Sequence, residues 1–203
     1  MKNKKLKSLI ILTMFIMIEI VLTITPLGFI QLGPIRATTL HIPVILAGFL
    51  LGYKKGMIVG LTFGILSVLV NTFMPTVTSF VFSPFYSLGE FNGNFYSLII
   101  AIVPRVILGI SGRLIYDILK FIKFDEIKVI IGTALATILH TTMVMSLIYL
   151  FFKNDYSSAK EIGLNELVTL IITVITVNGF MEMLVAVIIV LGLYKALKRF
   201  KYE

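Results

Sequence analysis

The sequence predicts an all-α membrane protein: six transmembrane helices in a single domain over residues 1–203, with the N- and C-termini cytoplasmic. Three observations predict it. Apolar residues make up 58% of the 203 positions and charged residues 14%, whereas soluble domains carry about 45–50% and about 25%. The apolar residues gather into six segments, and the mean hydropathy of the chain is +1.04. The basic residues gather at alternate ends of those segments. Backbone groups in lipid must pair within their own segment, so the spans are helices of about 20 residues each.

The first segment, 6–25, follows a basic stretch with Lys2, Lys4, Lys5 and Lys7. Its apolar run is too long for a signal peptide and no small-residue cleavage site follows, so it is a retained helix. The second, 38–53, is short and enters from a Gly33-Pro34 turn, where Arg36 sits among the headgroups or meets an anionic ligand. The stretch Gly52–Gly56 turns the chain tightly into the third segment, 56–73. A polar linker, 74–94, comes next. Linkers of that length inside a compact fold are usually functional, and this one carries Phe80, Phe82, Phe85, Tyr86 and Phe91. It predicts a lid over a small organic ligand. The remaining segments are 95–119, 127–152 and 165–194.

Basic residues set the orientation, because cytoplasmic ends of spans carry the excess of Lys and Arg. With the N-terminus inside, the inner stretches hold fourteen of the eighteen basic residues, including Lys54, Lys55, Arg113, Lys120, Lys123, Lys128, Lys195 and Lys198. The outer loops hold Arg36, Lys153 and Lys160, and Arg105 lies within a helix. The net charge of +8 is therefore a topology signal, and no nucleic-acid partner is implied. The chain has no cysteine, which excludes disulfides, thiolate catalysis and Cys-based metal sites. No phosphate-binding glycine loop occurs, so neither a nucleotide nor another cofactor is expected. Glycines 48, 52, 56, 60 and 64 recur every four residues, a spacing that lets membrane helices approach closely.

Polar groups inside spans are costly and usually face a cavity or a partner. Glu19, His41, Asn71, Arg105, Thr137, His140, Thr141, Asn178 and Glu182 all fall within the spans. At 1.5 Å rise per residue, Glu19 and His140 lie roughly 20 Å from the inner side and Arg105 roughly 15 Å from the outer side. His41 and Asn71 fall in the outer half. A polar cavity towards the outside accounts for this, lined by His41, Asn71, Phe82, Tyr86, Arg105, His140, Thr141 and Asn178. Arg105 serves equally well as the ion-pair partner of Glu19 or Glu182, locking helices together. Two histidines without a third ligand do not make a metal site, and no dense acid or histidine motif marks a catalytic centre.

Several stretches resemble the substrate-binding (S) components of energy-coupling factor (ECF) transporters. They are Thr39–Gly52 (TLHIPVILAGFLLG), Lys55–Gly64 (KGMIVGLTFG), Phe82–Phe85 (FSPF) and Val103–Gly109 (VPRVILG). The order and spacing of these stretches cover most of the chain. Within the family, Pro26–Pro34 (PLGFIQLGP), the loop start Pro75–Ser79 (PTVTS) and Pro104-Arg105 are most similar to the pantothenate branch. One departure is His140 in Leu-His-Thr-Thr, where that branch leads one to expect Asn. The resemblance implies a multi-pass protein of the bacterial plasma membrane that binds one vitamin tightly in its outer half. It also implies partners: a transmembrane scaffold subunit and two cytoplasmic ATPases that supply the energy. S components are thought to topple in the membrane to release their cargo inward. Many carry A-x-x-x-A on the first helix for scaffold contact; the equivalents here are the bulkier Met14 and Ile18. Other readings stay open: an S component for pyridoxine, hydroxymethylpyrimidine or riboflavin, an integral membrane enzyme, or a secondary carrier. A carrier often shows two similar halves, and no convincing internal repeat is present.

Overall fold

The computed structural model describes the backbone of residues 2–32 and 35–202 and the side chains of 5–28 and 38–198. Seven helical stretches dominate: α1 (Lys2–Ile24), α2 (His41–Leu51), α3 (Tyr53–Phe73), α4 (Phe95–Ile118), α5 (Asp125–Ala159), α6 (Leu164–Thr173) and α7 (Gly179–Tyr202). A π-helical turn, Val174–Asn178, joins α6 to α7 without a break, so the last apolar segment is one continuous rod. Two small antiparallel hairpins are added: β1 (Phe29–Leu32) with β2 (Ile35–Thr38), and β3 (Ser87–Leu88) with β4 (Phe91–Asn92). The sequence reading expected loops at both places.

Among the described residues, five helices are long and apolar enough to cross a membrane. The second expected span, 38–53, is different. α2 has 11 residues, roughly 16 Å of helix, against a hydrocarbon core of about 30 Å. His41 to Leu50 are all buried, and the hairpin β1–β2 leads into it. Such a short helix with irregular backbone beside it is tolerated at membrane depth because protein surrounds it. The turn into α3 is also tighter than expected: Gly52 alone makes it, at φ 84°, a value that favours glycine.

The glycine stripe brings α3 against α4 backbone to backbone. A Cβ on Gly56 would lie 2.1 Å from the Gly109 carbonyl oxygen, and one on Gly60 would lie 2.2 Å from that of Arg105. No side chain larger than hydrogen leaves room there, as small-residue packing requires.

The start of α1, the end of α7 and the α2–α3 and α4–α5 turns share one end of the bundle. A clasp of polar groups closes that end. Arg113 Nε donates to Asp117 at 3.0 Å, Tyr53 donates to Asp117 at 2.5 Å, and Lys198 bridges α7 to Asp125 of α5 at 2.5 Å. Lys55 donates to Ser8, tying α3 to α1.

Two apolar cores result. One runs from α1 and α2 to the clasp and includes Phe15, Ile45, Phe49, Val59, Leu108 and Val190. The other lies at the far end, where Phe80 and Val81 of the 74–94 segment pack against Ile100, Ile148, Phe152 and Leu167.

Candidate functional site

Arg105 is placed by the residue before it. Pro104 lies inside α4 and has no N–H, so the carbonyl four residues back, that of Ile100, loses its helical donor. Arg105 supplies the missing donor: Nη1 bonds the Ile100 carbonyl at 2.5 Å. The guanidinium is buried, 7% exposed, and lies 5.4 Å from the centroids of both the Phe63 and Phe82 rings. Ring faces attract a cation, more strongly when water is excluded. Its Nε is buried with no partner.

The expected ion pair of Arg105 with Glu19 or Glu182 is not made. The ion pairs among the described residues join Arg113, Lys128 and Lys198 to Asp117 and Asp125. Glu182 is occupied elsewhere. Its Oε1 accepts from the Thr38 N–H at 3.0 Å and the Thr38 hydroxyl at 2.9 Å, and its Oε2 accepts from Thr141 at 3.4 Å. Glu19 is fully buried on α1, and both its oxygens lack a partner.

Arg105, His140 and Glu182 follow one another through shared neighbours: Arg105 and the His140 ring both lie against Phe63, and Thr141, next to His140 in α5, reaches Glu182. His41, buried at the start of α2, lies three residues beyond Thr38, which also holds Glu182. Four helices contribute: α2, α4, α5 and α7. Nε2 of His41 and of His140 are buried without partners, and the His140 ring lies 6.3 Å from that of Phe63. Thr133 and Thr137 extend the polar surface along α5. Elsewhere, helical threonines such as Thr13, Thr62, Thr72 and Thr176 return their hydroxyls to the carbonyl four residues back. The hydroxyls of Thr133 and Thr137 do not, and they are buried unpaired. Buried polar groups are normally hydrogen-bonded, so the unpaired Arg105 Nε and the Nε2 atoms of His41 and His140 leave hydrogen-bonding capacity for a polar guest.

The other expected lining residues take different positions. Asn71 donates to the Ser67 carbonyl at 2.8 Å and accepts from Ser79 at 2.7 Å. It fastens the 74–94 segment to α3. Thr72 shares a 2.6 Å hydrogen bond with Ser83, and Ser97 donates to the Phe80 carbonyl at 2.7 Å. The first half of the segment is thus a fixed plug, with only Phe82 reaching Arg105. Phe85 is 76% exposed, and Tyr86 and Phe91 pack at the edge of the outer core. Asn178 lies half-buried on the π turn, next to Gly179, which packs near Thr141. The side chain of Arg36 lies outside the described residues. Met14 and Ile18 face outward from α1 and, with Ile10, Thr13 and Met17, line a shallow apolar groove.

Sequence reasoning missed Phe63, Thr38 and Thr133. The four-residue spacing of Thr133, Thr137 and Thr141 was the available signal for the last. Nothing in the sequence ties Thr38 to a residue 144 positions away.

A cation held by rings instead of a carboxylate, beside two histidines with free nitrogens, can receive an anion bearing further hydrogen-bonding groups. Residues 7–194 match the family described as "ECF transporter, substrate-specific component". The pantothenic acid transporter PanT of Lactococcus lactis subsp. cremoris (strain MG1363) is 32% identical over 202 residues, which cover 98% of this chain and 97% of that protein.

Proposed function

The chain belongs to the substrate-specific components of ECF transporters, and on that premise we propose that it captures pantothenate at Arg105. The observation that carries this is a buried guanidinium with no carboxylate partner among the described residues, lying over the rings of Phe63 and Phe82. A buried charge left uncompensated is expensive, and an anionic ligand compensates it. Pantothenate is an anion with an amide and two hydroxyls, and the similar Lactococcus protein is named for pantothenic acid. His41, His140 and Thr141 supply further hydrogen-bonding groups, with Phe82 closing over the guanidinium.

The chain crosses the plasma membrane of a bacterium six times, the second crossing being made by the short α2 with its hairpin. The clasped end with the termini faces the cytoplasm, as the placement of Lys and Arg supports. Single cysteines placed at Lys54 and Phe85 in this cysteine-free chain test the orientation: an impermeant maleimide added to cells labels the second and spares the first. The partners are a transmembrane scaffold and two ATPases, since no nucleotide loop occurs in this chain. The exposed α1 face with Met14 and Ile18 is the surface offered to the scaffold.

Titration calorimetry of the purified chain with pantothenate tests the ligand. Binding at one site without ATP is expected, and Arg105→Gln should weaken it by roughly 10- to 100-fold, the scale of a hydrogen bond to a charged group. Equal affinity in the variant would sink the assignment.

A further inference from the structure

Glu182 stands at the other end of the polar run from Arg105. Its two oxygens are differently engaged. Oε1 takes two donors from Thr38, at 3.0 and 2.9 Å. Oε2 has the Thr141 hydroxyl at 3.4 Å, long for an O–H···O bond, whose usual range is about 2.5–3.0 Å. An ionised carboxylate has room for about four donors and offers none itself. Oε2 therefore has acceptor capacity to spare. It lies beside Thr141, the neighbour of His140, in the same run that ends at Arg105.

Opposite charges at the two ends of one polar run, not paired with each other, impose a direction on an asymmetric ligand seated between them. A carboxylate placed at Glu182 would meet a like charge and gain no donor. A hydroxyl placed there donates to Oε2, and a carboxylate placed at Arg105 gains both charge and donors.

We propose that Glu182 reads the hydroxyl-bearing end of the ligand, so that pantothenate lies with its carboxylate at Arg105 and its hydroxyls at Glu182. This rests on the pantothenate reading above and adds its orientation and the residue that selects for hydroxyls. The same carboxylate holds Thr38 at the end of hairpin β1–β2. Ligand recognition and the seating of that hairpin therefore share one side chain.

Calorimetry with three ligands tests it: pantothenate, pantothenol (the carboxylate replaced by an alcohol) and an analogue with its terminal hydroxyl replaced by hydrogen. The unsubstituted chain should prefer pantothenate over both. Glu182→Gln should lose roughly 10- to 100-fold for pantothenate and much of the preference over the deoxy analogue, while still preferring pantothenate to pantothenol. Arg105→Gln should show the reverse pattern. Glu182→Asp, which withdraws the acceptor by one methylene and keeps its charge, should also lose hydroxyl preference, and it carries the test if the Gln variant fails to fold. Thr38→Val should release ligand several-fold faster with both preferences intact. Hydroxyl preference unchanged in the Glu182 variants, or lost through Arg105 instead, overturns the orientation alone. No binding of pantothenate by the unsubstituted chain overturns the functional reading and the orientation with it.

Discussion

Pro104 and Arg105 form a working pair. The proline removes one helical hydrogen bond, and the arginine beside it takes the vacated carbonyl of Ile100. That bond, with the rings of Phe63 and Phe82, fixes the guanidinium while leaving Nε unpartnered. Pro104→Ala restores an N–H to the Ile100 carbonyl, which then competes with Arg105 for it. The variant should melt at the same or a higher temperature in detergent, yet bind pantothenate several-fold more weakly. A parallel fall in both would show that the proline serves packing alone. At this scale the sequence points to candidate residues more readily than to what they touch. Arg105, His41, His140 and Glu182 stand out because charge in lipid is rare. Their partners were not legible, because sequence distance says nothing about lateral position in a bundle. Glu182 was one of two acids offered as a partner for Arg105, and it is found on Thr38 and Thr141.

The helices themselves were largely legible, since each span is written as a continuous apolar run. The glycine stripe was read as close packing, and the structure shows backbone-to-backbone contact of α3 with α4. Gly60→Val should therefore be severe, costing about 3 kcal/mol in an overpacked site and displacing Arg105 directly, since the clash is with its carbonyl. Gly192→Ala on α7, with nothing within 4 Å of the added methyl, should be neutral or gain up to about 1 kcal/mol of helix propensity. Thermal melts of the two variants in detergent compare them, and similar losses would contradict the packing account. The second segment, 38–53, was read as short, and its helix is shorter still: α2 covers His41–Leu51, and the hairpin β1–β2 leads into it. The 74–94 segment was read as a lid on length and aromatic content. Asn71, Thr72 and Ser97 pin its first half, and those bonds join residues whose pairing no local pattern announces.

Across the whole molecule, membrane character and family were readable from composition and motif order, because each is a property summed over many residues. The division of the interior was not. One apolar core gathers α1, α2 and the clasped end, and a second gathers the 74–94 plug with the far ends of α4, α5 and α6. The polar run from Arg105 to Glu182 contributes the orphaned atoms of His41, Arg105 and His140 instead of apolar contacts. A ligand seated there bonds to side chains from several helices at once and so acts as mortar between two blocks. Cooperativity should then depend on occupancy. Scanning calorimetry of the empty protein in detergent is expected to give a broad or two-step transition, with a van't Hoff enthalpy below the calorimetric one. Saturation with pantothenate should merge the steps into a single sharp transition, with the two enthalpies equal as two-state melting requires.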